Sequence, residues 1–287
     1  MVWSLGVVLL AFAANSLLCR WALSAYQFDP WLFSWVRLVS GALMLIALLA
    51  WQQPGRWYPR LGQARFWLLG VALGLYALAF SLAYTRLDTG VGAFILFATV
   101  QLSLQAFAWW RGTRLRSWQW LGVLMSTAGL ALLLLPGARA PQPLAAGFML
   151  LAALGWSGFV LLASRAASAL TDVTHAFIAA AILATPLTVV FATDSFHWGW
   201  QPWLLALTSG TLASGLGYFL WYRILPQLGL SRAAQVQLLV PTLALLSGML
   251  ILQEQLAPLA WLAILVIWLG VILSTLSTTA ANKRKTQ

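Results

Sequence analysis

The chain has 287 residues, of which 62% are hydrophobic and only 7% charged, and its mean hydropathy is +0.88. That balance excludes a water-soluble domain, because too few polar side chains exist to cover its surface. The net charge of +11 does not point to nucleic acid: the basic residues sit in short loops between apolar runs, where they report topology, and they form no continuous groove beside the tryptophans.

A membrane-crossing helix needs about 20 apolar residues. Runs of that kind lie at 3–24, 31–51, 65–84, 90–110 and 118–136, and again at 144–164, 173–192, 202–222, 229–252 and 258–277. The expected fold is all-α and integral to the membrane, with ten transmembrane helices and short connections. The first run has no basic stretch ahead of it and is followed by Arg20 in place of a small-residue cleavage site, so it reads as helix one rather than a signal peptide. The single cysteine, Cys19, excludes an intramolecular disulfide and a cysteine metal cluster.

With the N-terminus placed in the cytoplasm, the inner loops and tail hold Arg56, Arg60, Arg65, Arg111, Arg114, Arg116, Arg165, Arg223, Arg232, Lys283, Arg284 and Lys285. The outer loops then hold Arg86 and Arg139, so the positive-inside rule is met.

The two sets of five helices are related. At an offset of 141 residues Trp120 falls on Trp261, Gly129 on Gly270, Gly6 on Gly147 and Ser16 on Ser157, alongside a series of leucines. Charge does not follow the repeat: Arg111, Arg114 and Arg116 correspond to Leu252, Gln255 and Ala257. Five helices is an odd number, so a tandem copy enters the membrane the other way up and its loop charges change sides. The expected units are a first five-helix repeat at 3–136, a second at 144–277 and a basic cytoplasmic tail at 278–287. Small residues at four-residue spacing on helix three (Gly70/Gly74) and helix eight (Gly210/Ser214, Ala213/Gly217) permit close helix contact.

An ionisable residue within a span is a candidate for function by default, and Arg37 is the clear case. Arg37, about two turns into helix two, is either a fixed cation for a substrate carboxylate or a structural arginine bonded to helix-end carbonyls or Asp29. Gln101 and Gln105 share a face of helix four. Gln235 and Gln237 lie on helix nine, about 200° apart around its axis, so one of the two faces a given cavity. Asn15 and Trp156 take comparable positions on helices one and six, and Tyr84, Tyr218 and Tyr222 end or line helices three and eight. Together they suit a mixed polar and aromatic binding cavity. Pro241 interrupts the hydrogen bonding of helix nine and frees a carbonyl near residue 237. The acids Asp29, Asp88, Asp172, Asp194 and Glu254 all lie at span ends or in loops. Transport is therefore expected to be facilitative or exchange-like, or to use Glu254 at the outer mouth as a gating or proton-coupling group.

The order Asp29-Pro30, Phe33-Ser34-Trp35-Val36-Arg37, Tyr84, Gly112, Tyr218, Tyr222, Pro241, Glu254 and Gly270 resembles the EamA-type exporters of the drug/metabolite transporter superfamily. The resemblance runs over nearly the whole chain. It implies ten helices in two inverted repeats, both termini cytoplasmic, a central cavity and outward movement of small metabolites, from a bacterial inner membrane. The chain departs from the pattern where Val100 and Thr113 stand in the first half for Pro241 and Glu254 of the second.

Enzyme readings fail on their chemistry. Asp88-Thr89-Gly90 spells an aspartic-protease triplet, but that reaction needs two carboxylates sharing a proton and the second half offers no partner triplet. The partners implied are a small-molecule solute and the lipid bilayer, with no nucleic acid, no metal and no cofactor, and no oligomeric interface is specified. A solute transporter is the leading function, working by alternating access from a cavity between the repeats; the alternative class is a non-transporting membrane subunit or sensor. Arg37 and the phenols favour zwitterionic or weakly anionic solutes, aromatic ones included.

Overall fold

A computed structural model describes residues 2–52, 58–59, 61–112, 116–134, 141–163, 169–192, 199–228, 237 and 239–282. The described residues are almost wholly helical and include no strand. In chain order the helices are α1 (Val2–Ala25), α2 (Pro30–Gln52), α3 (Ala64–Tyr84), α4 (Thr89–Trp110), α5 (Ser117–Leu134), α6 (Pro143–Ala163) and α7 (Ala169–Phe191). There follow α8 (Trp200–Thr208), a π-helical segment (Ser209–Leu216) and α9 (Gly217–Leu228), which run on as one span, then α10 (Leu239–Ile251) and α11 (Pro258–Asn282).

The helix starts have local causes. Pro30, Pro143 and Pro258 each open a helix, at the position where a missing N–H goes unused and the fixed φ is already helical. Asp29 caps α2: its Oδ1 accepts from the backbone N–H of Trp31 at 2.8 Å and of Leu32 at 2.9 Å. Gly112, just past α4, has φ +88°, a backbone conformation that suits glycine.

Seven of the rods are long and apolar enough on their own to cross a bilayer, counting α8 through Ile224 as one. The described part of α10 has 13 residues, about 20 Å of helix against a hydrocarbon core of about 30 Å. α7 begins at Ala169, earlier than the apolar run suggests, and takes in Asp172, whose charge is met by Arg65. The last helix, α11, continues to Asn282, and residues 283–287 lie outside the described set.

Packing pairs the rods across the two halves. α5 lies along α11, α2 along α7, and α4 along α10. α3 packs on α6 and α7, while the span from α8 to α9 packs on α1 and, through α8 and the π-helical segment, on α2. α4 packs on α6 as α10 packs on α1. Exchanging each span with the one five places away maps this set of pairings onto itself. Gly129 and Gly270, matched at the 141-residue offset, both serve the α5–α11 contact. A Cβ at Gly129 would meet the Ile267 backbone nitrogen at 2.8 Å, and one at Gly270 the Gly122 carbonyl at 2.7 Å. Gly70 likewise lies against Ala179 and Ala180 of α7, and Gly210 against Arg37 and Ser40 of α2.

Candidate functional site

The inner spans line a narrow cavity, with about 40 Å³ of room for the centres of water-sized molecules. Its wall comes from Phe12, Asn15 and Ser16 of α1, Tyr76 and Phe80 of α3, Leu96 and Phe97 of α4, Trp156 of α6, Tyr218 of α9, and Gln237. These are the first, third and fourth spans of each half.

The wall is mainly aromatic, and its rings touch in series. Phe80 lies 5.3 Å from Tyr76, Tyr76 5.1 Å from Trp156, Trp156 5.7 Å from Tyr218, and Tyr218 5.4 Å from Phe12, centroid to centroid. Such contacts hold large side chains in fixed positions. Asn15, Ser16 and Gln237 supply neutral polar groups, and none of the lining side chains carries a charge.

Arg37 stands one layer behind this wall. It is 2% exposed, with Cζ 5.4 Å from the Tyr76 ring centroid and 5.1 Å from that of Phe80. Stacking on ring faces stabilises the guanidinium. Its Nη1 is nevertheless buried without a hydrogen-bond partner, a costly condition for a charged donor.

Of the residues singled out from sequence, Asn15, Trp156, Tyr218 and Gln237 line the cavity. Gln101 does not. Gln105, on the same helix, donates to Ser274 Oγ of α11 at 2.9 Å. Tyr84 is fully buried behind the cavity wall, beside Ser16, and its hydroxyl donates to the Thr89 carbonyl at 3.1 Å, bracing the turn from α3 to α4. Tyr222 is half-buried and packs on the apolar core. Gln235 lies outside the described residues. Pro241 borders a smaller apolar recess with Phe97, Trp268 and Val271. Phe12, Ser16, Tyr76, Phe80, Leu96 and Phe97 carried no distinguishing signal beyond the Ser16/Ser157 match, because an aromatic residue in an apolar span does not reveal which way it faces.

Two polar networks lie at opposite ends of α3. At the end bearing Asp29, the Arg20 guanidinium donates to the carbonyls of Tyr84 and Thr85 at 3.1 and 3.2 Å. It also reaches Asp88 at 3.5 Å and Glu254 at 3.4 Å. The Glu254 carboxylate in turn accepts from the Thr89 backbone N–H at 2.8 Å and from the Thr89 hydroxyl at 3.0 Å. Arg20 is thus held in place rather than reaching out to the lipid headgroups. Burial pushes the Asp88 and Glu254 carboxyls above their ordinary range, against the opposing pull of Arg20. At the other end Arg65 bonds Asp172 of α7 and donates to the Leu162 carbonyl of α6 at 2.7 Å. Close by, His175 Nε2 is 3.0 Å from the Tyr58 carbonyl.

Residues 143–276 match the model of the EamA-like transporter family. A Pseudomonas aeruginosa protein, PA1977, is 43% identical over 252 residues, covering 88% of this chain and 86% of the relative. The Bacillus subtilis protein named as uncharacterized transporter YwfM is 26% identical over 99% of this chain and 96% of its own length. A solved crystal structure at 18% identity shares the fold, with a TM-score of 0.64 over 96% of this chain and 98% of that one. Long apolar helices around a central cavity, and relatives that match over most of their length, agree on one assignment: the chain is an integral membrane protein of the EamA-like transporter family, within the drug/metabolite transporter superfamily.

Proposed function

We propose that the chain exports small molecules by alternating access, with ten spans in two inverted five-helix repeats around one binding cavity. The observation that carries this reading is the make-up of the cavity wall, drawn from spans one, three and four of each half. The reciprocal packing of the rods supports it, and an odd number of spans per half requires the second copy to enter the membrane reversed. The distribution of arginine and lysine supports cytoplasmic termini. The Asp29 end then faces outward, and relatives from two bacteria favour the bacterial inner membrane.

In this reading the Arg20–Glu254–Asp88 network closes the outer mouth, and Arg65–Asp172 closes the inner one. Each opens in turn. Pro241, one turn beyond Gln237, loosens the helix where it borders the cavity. The lining favours zwitterionic or weakly anionic solutes with an aromatic part: rings stack on the wall, Asn15 and Gln237 meet polar groups, and Arg37 supplies a positive field. Gln101, Tyr84 and Tyr222 have no direct part in binding.

Counterflow in reconstituted vesicles tests transport. Preloading with an aromatic amino acid or carboxylate should accelerate uptake of its labelled form. Binding without flux across a broad metabolite panel would favour a sensor or subunit instead. Impermeant labelling should place cysteines at positions 114 and 255 on opposite faces; labelling from one face would end the inverted-repeat reading.

A further inference from the structure

The span from α8 to α9 departs from α-helical winding along its middle, over eight residues. Short π-helical insertions occur mostly in single turns and concentrate at functional sites. Here the sequence SGTLASGL offers little side-chain bulk to resist the wider winding. Asn15 on α1 reaches into the segment from the cavity wall. The Ser209 hydroxyl donates to its Oδ1 at 2.7 Å, and its Nδ2 donates to Ser214 Oγ at 3.2 Å. All three side chains are buried. One amide therefore faces the cavity and also joins the two serines of the π-helical segment.

The surroundings make the winding consequential. Gly210 sits so close to α2 that a Cβ there would meet the Arg37 carbonyl at 2.5 Å, so the segment bears on the backbone of the buried arginine. Tyr218, two residues past the segment, forms part of the cavity wall. Passing from i→i+5 to i→i+4 hydrogen bonding turns everything beyond the segment about the helix axis. The side chain of Tyr218 would turn with it.

We infer that Asn15 is a positioning residue that couples cavity occupancy to the winding of span eight. A polar group of the solute competes for the Asn15 amide, releases Ser209 and Ser214, and lets the segment rewind toward α-helix. Tyr218 and the contact with α2 then move together. This rests on the proposed transport cavity but makes a separate claim, that the hold on the segment passes through Asn15.

The test uses the full chain in nanodiscs and the double variant Ser209→Ala/Ser214→Ala, which leaves every lining side chain in place. Hydrogen–deuterium exchange across residues 209–216 without solute should be about tenfold slower than in the wild type, because the freed segment rewinds to i→i+4 bonding, with α3 and α6 unchanged. Asn15→Ala should match it, and the triple variant should add nothing, because all three groups form one network. With labelled phenylalanine, benzoate and benzylamine as probes, equilibrium binding to the nanodiscs reports occupancy, and its loss in Trp156→Ala assigns it to the cavity. Bound solute should likewise slow exchange of the segment in wild type and leave it unchanged in the double variant. Equal solute-free exchange in all variants would overturn the inference, as would occupancy that leaves the wild-type segment untouched. If none of the probes binds in the cavity, the proposed solute class fails, while the solute-free comparison still judges the hold on the segment.

Discussion

Replacing Arg37 by Gln removes a charge that no lining residue balances. The effect on solute choice can be worked from its position behind the Tyr76 ring. Cζ lies 5.4 Å from that ring's centroid, and a carboxylate resting on the opposite face adds a contact of about 3.5 Å. The separation is then roughly 9 Å, and at an effective dielectric of about 20 the attraction is about 332/(20 × 9), close to 2 kcal/mol. That is about twentyfold in binding. Wild-type protein should therefore bind benzoate about twentyfold more tightly than its neutral amide once ring contacts are matched, and Arg37→Gln should erase most of the difference. Arg37→Lys should keep much of the preference, since the charge survives although the stacking is weakened. The assay is competition against a labelled counterflow substrate at fixed ionic strength. An unchanged acid-to-amide ratio in Arg37→Gln would refute the assignment of a long-range positive field to this residue.

Breaking the Arg65–Asp172 contact should bias the protein toward opening at that end. Arg65 is 38% exposed and Asp172 15%, so solvent screening leaves about 1 kcal/mol, about a fivefold shift. Arg65→Asp should raise labelling of a cavity cysteine from that side, and the swap with Asp172→Arg should restore it; failure of the swap removes the pair as a latch. At the opposite mouth the carboxyls of Asp88 and Glu254 are raised by burial. Relative to an open, hydrated mouth, the closed network binds protons more readily. Acid therefore favours closure, and the effect is lost as pH rises through the raised values. Labelling from the Asp29 end should slow as pH falls toward the carboxylate range, and the combination Asp88→Asn with Glu254→Gln should flatten that profile; faster labelling in acid would reverse the sign. Tyr84→Phe removes the hydroxyl's bond to the Thr89 carbonyl and should lower thermal stability by about 1 kcal/mol. Solute affinity should stay the same, because Tyr84 lies off the cavity; a selective loss of affinity would place it in the binding site after all.

The packing also explains which sequence signals were readable. Asp29 and Pro30 stand out as a pair because a helix N-terminus needs a side-chain acceptor and tolerates a missing N–H. Asn15, Trp156 and Tyr218 were legible because polar or amphipathic groups inside an apolar span must face protein rather than lipid. The same rule does not tell Tyr84 and Tyr222, which lie off the wall, from residues that line it. Burial in protein satisfies a phenol whether its neighbour is a backbone carbonyl or a solute cavity. Tyr76 and Phe80 were silent, since an aromatic ring suits lipid, core and binding wall equally well.

The amino-acid order alone decided that this chain lives in the bilayer and that it is helical. Those properties follow from hydropathy, helix length and local capping, which act over a few turns of chain. The tertiary structure alone decided that Arg37 packs behind two rings of the cavity wall, that Arg20 meets Glu254, and that Asn15 bonds the π-helical segment. Those partners are separated by 39 residues or more in the chain. Only the packing of spans against one another brings them within reach, because hydrogen bonds and ion pairs act over a few ångströms and take no account of sequence distance.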